Sequence, residues 1–233
     1  MPTKKNRKVT LFYSILRILV ILLFITSVLG IFIDADDTDI SRNLFIALQS
    51  IILFTLSFTP VFIERKFKLE IPSFMKTIFL LFIIAALLLG EVAEFFVRIS
   101  WWDDMLHTVS GFLVAIISLS ILSFATKSPN GIYSLRPVFI ALFVFCFAVS
   151  IEVIWELFEY AVDSLFPPSN MLRTVDSVTL IPLEGLDAVK DTIHDISLTV
   201  LSALAVSVLA YFDSKNKFHI FNKWFISQKK INK

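Results

Sequence analysis

The sequence has 233 residues, of which 57% are hydrophobic and 25 are phenylalanine, and its mean hydropathy is +0.81. This composition excludes an ordinary soluble domain of this size and indicates an integral membrane protein. The formal net charge is only +1, and the single cysteine, Cys146, excludes an intramolecular disulfide.

Apolar segments of about 20 residues, the length that crosses a bilayer, recur along the chain. The predicted spans are Val9–Ile33, Asn43–Ile63, Ser73–Val97, Met105–Ala125, Pro137–Ala161 and Thr192–Phe212. The first follows a basic stretch, but it is too long for a signal peptide and no cleavage pattern follows it. We therefore predict an all-α, polytopic membrane protein with six transmembrane helices and both termini on one side.

Buried charge divides the predicted spans into two groups. Residues 1–72 are expected to form an N-terminal two-helix membrane segment whose spans are ordinary lipid-facing helices. Residues 73–212 are expected to form a four-helix membrane core that carries nearly all the intramembrane charge. Residues 213–233 form a basic tail.

The distribution of lysine and arginine predicts the orientation, because positively charged flanks remain cytoplasmic. Most of the 21 basic residues lie in the two termini and in the loops after the second and fourth spans, whereas most acids lie elsewhere. Both termini are therefore predicted to be cytoplasmic. The basic tail beside a membrane is an improbable nucleic-acid site, so no nucleic-acid partner is expected.

Ionisable residues recur at helical spacing in the last four spans, and residues three or four apart share one side of a helix. The stripes are Glu91, Glu94 and Arg98 on the third span; Asp103, Asp104 and His107 on the fourth; Glu152, Glu156, Glu159 and Asp163 on the fifth; and Asp187, Asp191, His194 and Asp195 on the sixth. In the predicted orientation they all lie toward the outer membrane face. We expect them to form one site.

Glu152 is the most informative of these acids. It precedes Asp163 by roughly 16 Å of helix, which places it deep in the hydrocarbon, where an acid costs on the order of 3 kcal/mol. It must be protonated, paired or bound to a cation. Protein cations nearby are few: Arg98, Arg173, Lys190 and the two histidines.

The excess of acidic residues over nearby positive charges predicts that the site holds one or two divalent metal ions. Asp-x-x-His occurs twice, at Asp104/His107 and Asp191/His194, and di-metal carboxylate bundles use a comparable set of side chains. A site with this many oxygen ligands is equally compatible with magnesium, manganese or calcium. The sequence therefore does not determine the identity of the metal. The predicted ligands are Asp103, Asp104, His107, Glu152, Glu156, Glu159, Asp187, Asp191 and His194.

The order of motifs resembles that of a known family. The stretches "WWDDMLHTVSGF", "ELFEY" and "LDAVKD" are similar to the motifs of YjdF-type bacterial inner-membrane proteins and, more distantly, of VanZ-like proteins. The resemblance covers about residues 90–205 and implies a multi-pass protein of the bacterial inner membrane. It places Asp103, Asp104, His107, Glu156, Glu159, Asp187 and Asp191 at motif positions, whereas His194 is outside the pattern.

Three functions fit these residues. The first is a metal-dependent enzyme that acts on a lipid or lipid-linked phosphate, with Asp195 as the general base. The second is a cation- or proton-linked transporter with Glu152 as the deep relay. The third is a non-catalytic membrane scaffold or sensor that binds a partner or a cofactor lipid without turnover. For single residues the structural alternative is that acids at helix ends act as caps and that His107 is a hydrogen-bonded structural residue. The oligomeric state stays open.

Overall fold

The computed structural model describes residues 4–33, 37–126, 131–165, 170–176, 179, 181–221 and 227–228. Within these residues, six helices are long and apolar enough to cross a membrane: Thr10–Ile33, Asp39–Lys66, Ser73–Val92, Trp102–Ala125, Pro137–Leu165 and Asp187–Asn216. The prediction of an all-α protein with six spans is confirmed.

The described residues fall into two compact units, Met1–Ser100 with Ile226–Lys233, and Trp101–Phe225. The first contains α1 (Lys4–Ile33), α2 (Asp37–Leu56), α3 (Thr59–Lys66), β1 (Leu69–Glu70), α4 (Ser73–Ile83), a π-helical segment (Ile84–Val92), α5 (Phe95–Arg98) and β2 (Ser227–Gln228), which pairs antiparallel with β1. The second contains α6 (Trp102–Ala125), a 3-10 turn (Gly131–Ser134), α7 (Pro137–Leu165) and α8 (Asp187–Asn216). The predicted division after residue 72 stays a prediction.

The first unit carries a charged side chain that we had not expected inside its spans. The second predicted span is interrupted after Leu56, and the chain resumes as α3 at Thr59. Pro60, which lacks an N–H donor, lies in the first turn of α3. Arg17 of α1 donates from Nε to Ser57 Oγ at 2.9 Å and from Nη2 to the Ser57 carbonyl at 2.8 Å. The arginine thus satisfies polar groups at the break, as intramembrane backbone requires.

The third span ends earlier than Val97, its predicted end. The helix ends at Val92, and Glu94 adopts a left-handed conformation with φ of 60°. A Cβ atom at Gly90 would lie 2.4 Å from the Phe96 ring, so a larger residue there would require the ring to move. The periodicity of apolar residues continued to Val97, which is why the sequence alone did not show this turn.

The second unit is organised by one continuous stripe on α7. Its buried residues follow each other at spacings of three or four, and they are Ile140, Val144, Ala148, Glu152, Glu156 and Glu159. The apolar half packs against Ala115, Leu119, Ala203 and Val206 of α6 and α8. The acidic half lies where α6 begins, α7 ends and α8 begins, and we call this the acidic end.

Close packing of α6 on α8 sets the geometry of the acidic end. A Cβ atom added to Gly111 would lie 2.9 Å from Ser202 Cβ and 3.1 Å from Thr199 Cα. Small residues of this kind let membrane helices approach closely. Gly111 lies one turn after His107, and Thr199 one turn after Asp195, so the close approach brings those two side chains together.

The opposite end of the second unit also holds a buried acid, Asp213. α8 continues to Asn216, beyond the predicted end at Phe212, and Asp213 is buried. Its carboxylate accepts hydrogen bonds from Tyr133 Oη at 2.9 Å and from the Ile220 N–H at 2.8 Å. Residues 222–226 and 229–233 of the predicted tail lie outside the described residues.

Candidate functional site

A histidine–glutamate contact lies at the centre of the acidic end. His107 Nδ1 on α6 lies 2.6 Å from Glu152 Oε1 on α7, and both side chains are buried. The His107 carbonyl also accepts a hydrogen bond from the Thr199 hydroxyl of α8, at 3.3 Å. All three helices of the unit therefore meet at this residue.

The other ring nitrogen of His107 also faces carboxylates. Its Nε2 atom lies 3.6 Å from Asp103 Oδ1 and 3.9 Å from Asp195 Oδ2. A neutral imidazole offers one N–H donor and one acceptor nitrogen. With acids on both sides, the second nitrogen needs either an additional proton or a cation between it and the carboxylate.

Two buried carboxylates at this end have oxygens that no donor satisfies among the described residues. Glu156 is 6% exposed and neither of its oxygens has a partner among the described residues, although the Thr192 side chain is a polar neighbour. Asp195 is 2% exposed, and its Oδ1 atom is likewise unsatisfied within the described part of the chain. Unsatisfied buried carboxylate oxygens are rare, because desolvation without compensation is costly.

Arg173, in the connection between α7 and α8, contacts two of the carboxylates at the acidic end. Arg173 Nη2 lies 3.1 Å from Asp103 Oδ2, and Nη1 lies 3.7 Å from Asp191 Oδ1. Glu159 is buried and interacts electrostatically with Glu156 and His107. The sequence marked Arg173 as an available cation but gave no signal of its position, because the connection has no periodicity.

These distances define two sets of potential metal ligands that share His107. In the inner group, atoms of His107, Glu152 and Glu156 all lie within 4.8 Å of one another. In the outer group, atoms of Asp103, His107 and Asp195 meet the same limit. We call the five residues together the His107 cluster. One imidazole nitrogen and two carboxylates form a donor set that transition metals accept.

The structure places the remaining predicted ligands outside this cluster. His194 Nε2 lies 3.4 Å from Asp104 Oδ1, and both side chains are about half exposed. Asp187 is exposed in the first turn of α8. Asp103 rather than Asp104 faces His107, because four residues complete slightly more than one turn and three slightly less, and the neighbouring helices select between them.

Asp163, the last acid of the α7 stripe, is hydrogen-bonded to backbone N–H groups. Its carboxylate accepts hydrogen bonds from the N–H groups of Met171, at 2.9 Å, and Leu172, at 3.0 Å. It thereby fixes the start of the connection that carries Arg173. Residues 166–169, 177–178 and 180 of this connection lie outside the described residues.

Glu94, at the end of the predicted third span, forms ion pairs within the first unit. Glu94 pairs with Arg98 at 2.7 Å and with Arg42 at 3.8 Å. The hydrogen bond from Arg98 lowers the pKa of the Glu94 carboxyl below its ordinary value. That the acids of the third span join the same site as His107 stays a prediction.

Comparison with known proteins agrees with the architecture. Residues 14–216 match the family described as "Predicted membrane protein (DUF2238)". The chain is also 23% identical over 165 residues to an uncharacterised protein of Thermotoga maritima, covering 69% of this chain and 74% of that protein. No solved structure matches. The match covers most of the sequence, so the chain belongs to the DUF2238 family of predicted membrane proteins.

Proposed function

We propose that this member of the DUF2238 family binds a divalent cation in the His107 cluster and uses it on a lipid or lipid-linked phosphate. The protein is a multi-pass membrane protein. Its basic flanks support cytoplasmic termini and hence a site at the outer face. The similarity in motif order to YjdF-type and VanZ-like proteins supports placing it in the bacterial inner membrane.

The observation that carries the proposal is Glu156. Both its oxygens are buried and neither accepts a well-formed hydrogen bond within the described residues, where the Thr192 side chain interacts with it only weakly; one oxygen lies within 4.8 Å of ligand atoms from His107 and Glu152. Protonation of Glu156 is the competing explanation, because a neutral carboxyl group offers an O–H donor to neighbouring oxygens, and elemental analysis of the purified protein distinguishes the two. A cation bound by these three side chains satisfies the free oxygens and balances the acids.

The donor set narrows the choice of metal. Calcium and magnesium prefer ligand shells made only of oxygen. An imidazole nitrogen beside carboxylates suits manganese, iron or zinc better. We therefore propose a transition metal in the inner group, with the outer carboxylates and Asp191 surrounding it.

The position of the cluster supports a reaction at the membrane surface. It lies near the start of α6, where the exposed Trp101 and the half-buried Trp102 are typical of an interfacial aromatic belt. A divalent ion there can polarise a phosphoryl oxygen of a headgroup. Asp195, with its free Oδ1 atom, is placed to accept the proton of an attacking water.

The experiment that tests the cation site is elemental analysis of the purified full-length protein by plasma mass spectrometry. The variants are Glu156→Gln and, as a matched control, Glu184→Gln, which alters an exposed glutamate. We expect near-stoichiometric metal in the wild type and the control, and loss of the inner-group ion, hence a lower metal content, in Glu156→Gln. Equal metal in all three proteins, or none after reloading with Mn²⁺, Fe²⁺ or Zn²⁺, would overturn the proposal.

A cation or proton pathway is the second candidate, and buried Asp213 favours it, because it places an acid at the other end of the unit. Between the two ends, the hydroxyls of Ser118, Ser202 and Ser207 donate to carbonyls of their own helices. This arrangement supports helix packing more than a continuous path. Uptake of Mn²⁺ into proteoliposomes by the wild type, with none in Asp213→Asn, would favour transport.

A further inference from the structure

The carboxylate of Asp103 has two different neighbours, one on each oxygen. Its Oδ1 atom lies 3.6 Å from His107 Nε2, inside the outer group of ligands. Its Oδ2 atom lies 3.1 Å from Arg173 Nη2. Asp103 is therefore shared between the potential metal position and a positive charge of the protein itself.

The chain segment that carries Arg173 is fixed by hydrogen bonds on both sides. Asp163 accepts from the two backbone N–H groups that precede the arginine. Asn170 both donates to the Val175 carbonyl, at 2.7 Å, and accepts from its N–H, at 3.0 Å. Val175 in turn bridges to Pro182. The backbone at Arg173 is thus anchored, so the guanidinium can only leave Asp103 by a movement of its own side chain.

The side chain of Arg173 is the most exposed of the three charged groups. Arg173 is 31% exposed, compared with 13% for Asp103 and 21% for Asp191. The guanidinium therefore reaches the two carboxylates from the solvent side. Its backbone is in the left-handed region, with φ of 48°, a conformation that non-glycine residues keep only where the surroundings require it.

We propose that Arg173 is a tethered counter-cation that occupies the mouth of the outer group, and that a divalent ion bound by Asp103, His107 and Asp195 displaces its guanidinium. This inference rests on the proposed function. A second observation supports a ligand at this position, since Asp195 is 2% exposed and its Oδ1 atom has no donor among the described residues. Two cations close to one carboxylate repel each other, so they compete for Asp103.

The proposal distinguishes the two groups of ligands. The inner group, His107, Glu152 and Glu156, does not include Asp103, so an ion there does not require Arg173 to move. Binding in the outer group does require it. Removal of the arginine should therefore strengthen metal binding, and the gain should depend on Asp103.

The test is a titration of the detergent-purified full chain with Mn²⁺. The concentration of free Mn²⁺ is monitored by electron paramagnetic resonance. The proteins are the wild type, Arg173→Gln, Asp103→Asn and the double variant. Lys190→Gln is the matched control, because it removes one positive charge from an exposed side chain at the same end of α8. We expect Arg173→Gln to lower the Kd for Mn²⁺ about tenfold, Lys190→Gln to leave it unchanged, and Arg173→Gln to have no effect in the Asp103→Asn background.

The possible failures are separable. If the wild type binds Mn²⁺ and Arg173→Gln binds it equally or more weakly, the counter-cation role is wrong while the cation site stands. If no protein in the series binds Mn²⁺, Fe²⁺ or Zn²⁺, both the counter-cation role and the proposed function are wrong. Should Arg173→Gln not fold, Arg173→Lys serves instead. It keeps the charge but loses the two-pronged contact with Asp103 and Asp191, and it should give a Kd between those of the wild type and the tenfold lower value.

Discussion

His107 Nδ1 lies 2.6 Å from Glu152 Oε1, although the two residues are 45 positions apart and lie on different helices. His107 is about 8 Å from the start of α6, whereas Glu152 lies about 20 Å before the end of α7. The acid that the sequence marked as the deepest is thus level with the first turns of α6. Its partner is a histidine rather than a lysine or an arginine.

The first prediction concerns this pair. We expect His107→Ala to lower the free energy of unfolding by about 3–5 kcal/mol, because it leaves the buried Glu152 carboxylate without its partner. Glu152→Gln in the same background should recover part of this loss. The measurement is SDS-induced unfolding in mixed micelles with EDTA present, on the wild type, both single variants and the double variant. Strictly additive effects would contradict a direct interaction.

The second prediction concerns stabilisation by metal. Mn²⁺ at 100 times its Kd should stabilise the wild type by about 2.7 kcal/mol, because the ion binds the folded state. Glu156→Gln should show a smaller stabilisation by Mn²⁺, because it removes a ligand of the inner group. In EDTA this variant should be at least as stable as the wild type, because it replaces an unsatisfied carboxylate with a neutral amide.

Thermal unfolding with and without Mn²⁺ measures both effects, with Glu184→Gln as the control that should behave as the wild type. A Glu156→Gln protein that gains the full stabilisation from Mn²⁺ would remove Glu156 from the ligand set.

The third prediction concerns the exposed pair of Asp104 and His194. Surface pairs contribute about 0–1 kcal/mol, and this one lies outside the His107 cluster. His194→Ala should therefore change neither the metal content nor, by more than about 1 kcal/mol, the free energy of unfolding. The same assays applied to His107→Ala give the contrast. Loss of metal in His194→Ala would instead support the symmetrical site with two histidines.

The fourth prediction concerns Tyr133 and Asp213. Burial and the hydrogen bond to Asp213 raise the pKa of the Tyr133 hydroxyl above its ordinary value of about 10. The folded state therefore favours the protonated phenol, and this contribution is fully present below pH 10 or so and is lost as the pH rises through the folded-state pKa. Tyr133→Phe should destabilise the protein by roughly 1–3 kcal/mol, equally at pH 6 and pH 8.

Unfolding of Tyr133→Phe and of Tyr160→Phe, which alters an exposed tyrosine, measures this difference across the pH range. A destabilisation that disappears between pH 6 and pH 8 would contradict the assigned hydrogen bond.

Composition and periodicity were sufficient for the class of protein and the number of spans. Six apolar segments of bilayer length leave few alternatives, because lipid offers no partner for an unpaired backbone. The stripe of Glu152, Glu156 and Glu159 was also predictable, because helical spacing by itself places these residues on one side of α7. That they bind a metal stays a proposal.

Only the tertiary structure decided which residues meet. Helical spacing allows Asp103 or Asp104 to face His107, and the packing of α6 on α8 through Gly111 selects Asp103. Arg173 reaches the site through an irregular connection, and Arg17 reaches Ser57 at a helix break, so neither contact follows from a periodic pattern. Periodicity describes the faces of single helices, whereas contacts between helices depend on crossing geometry, which the sequence encodes only through the packing of all the side chains together.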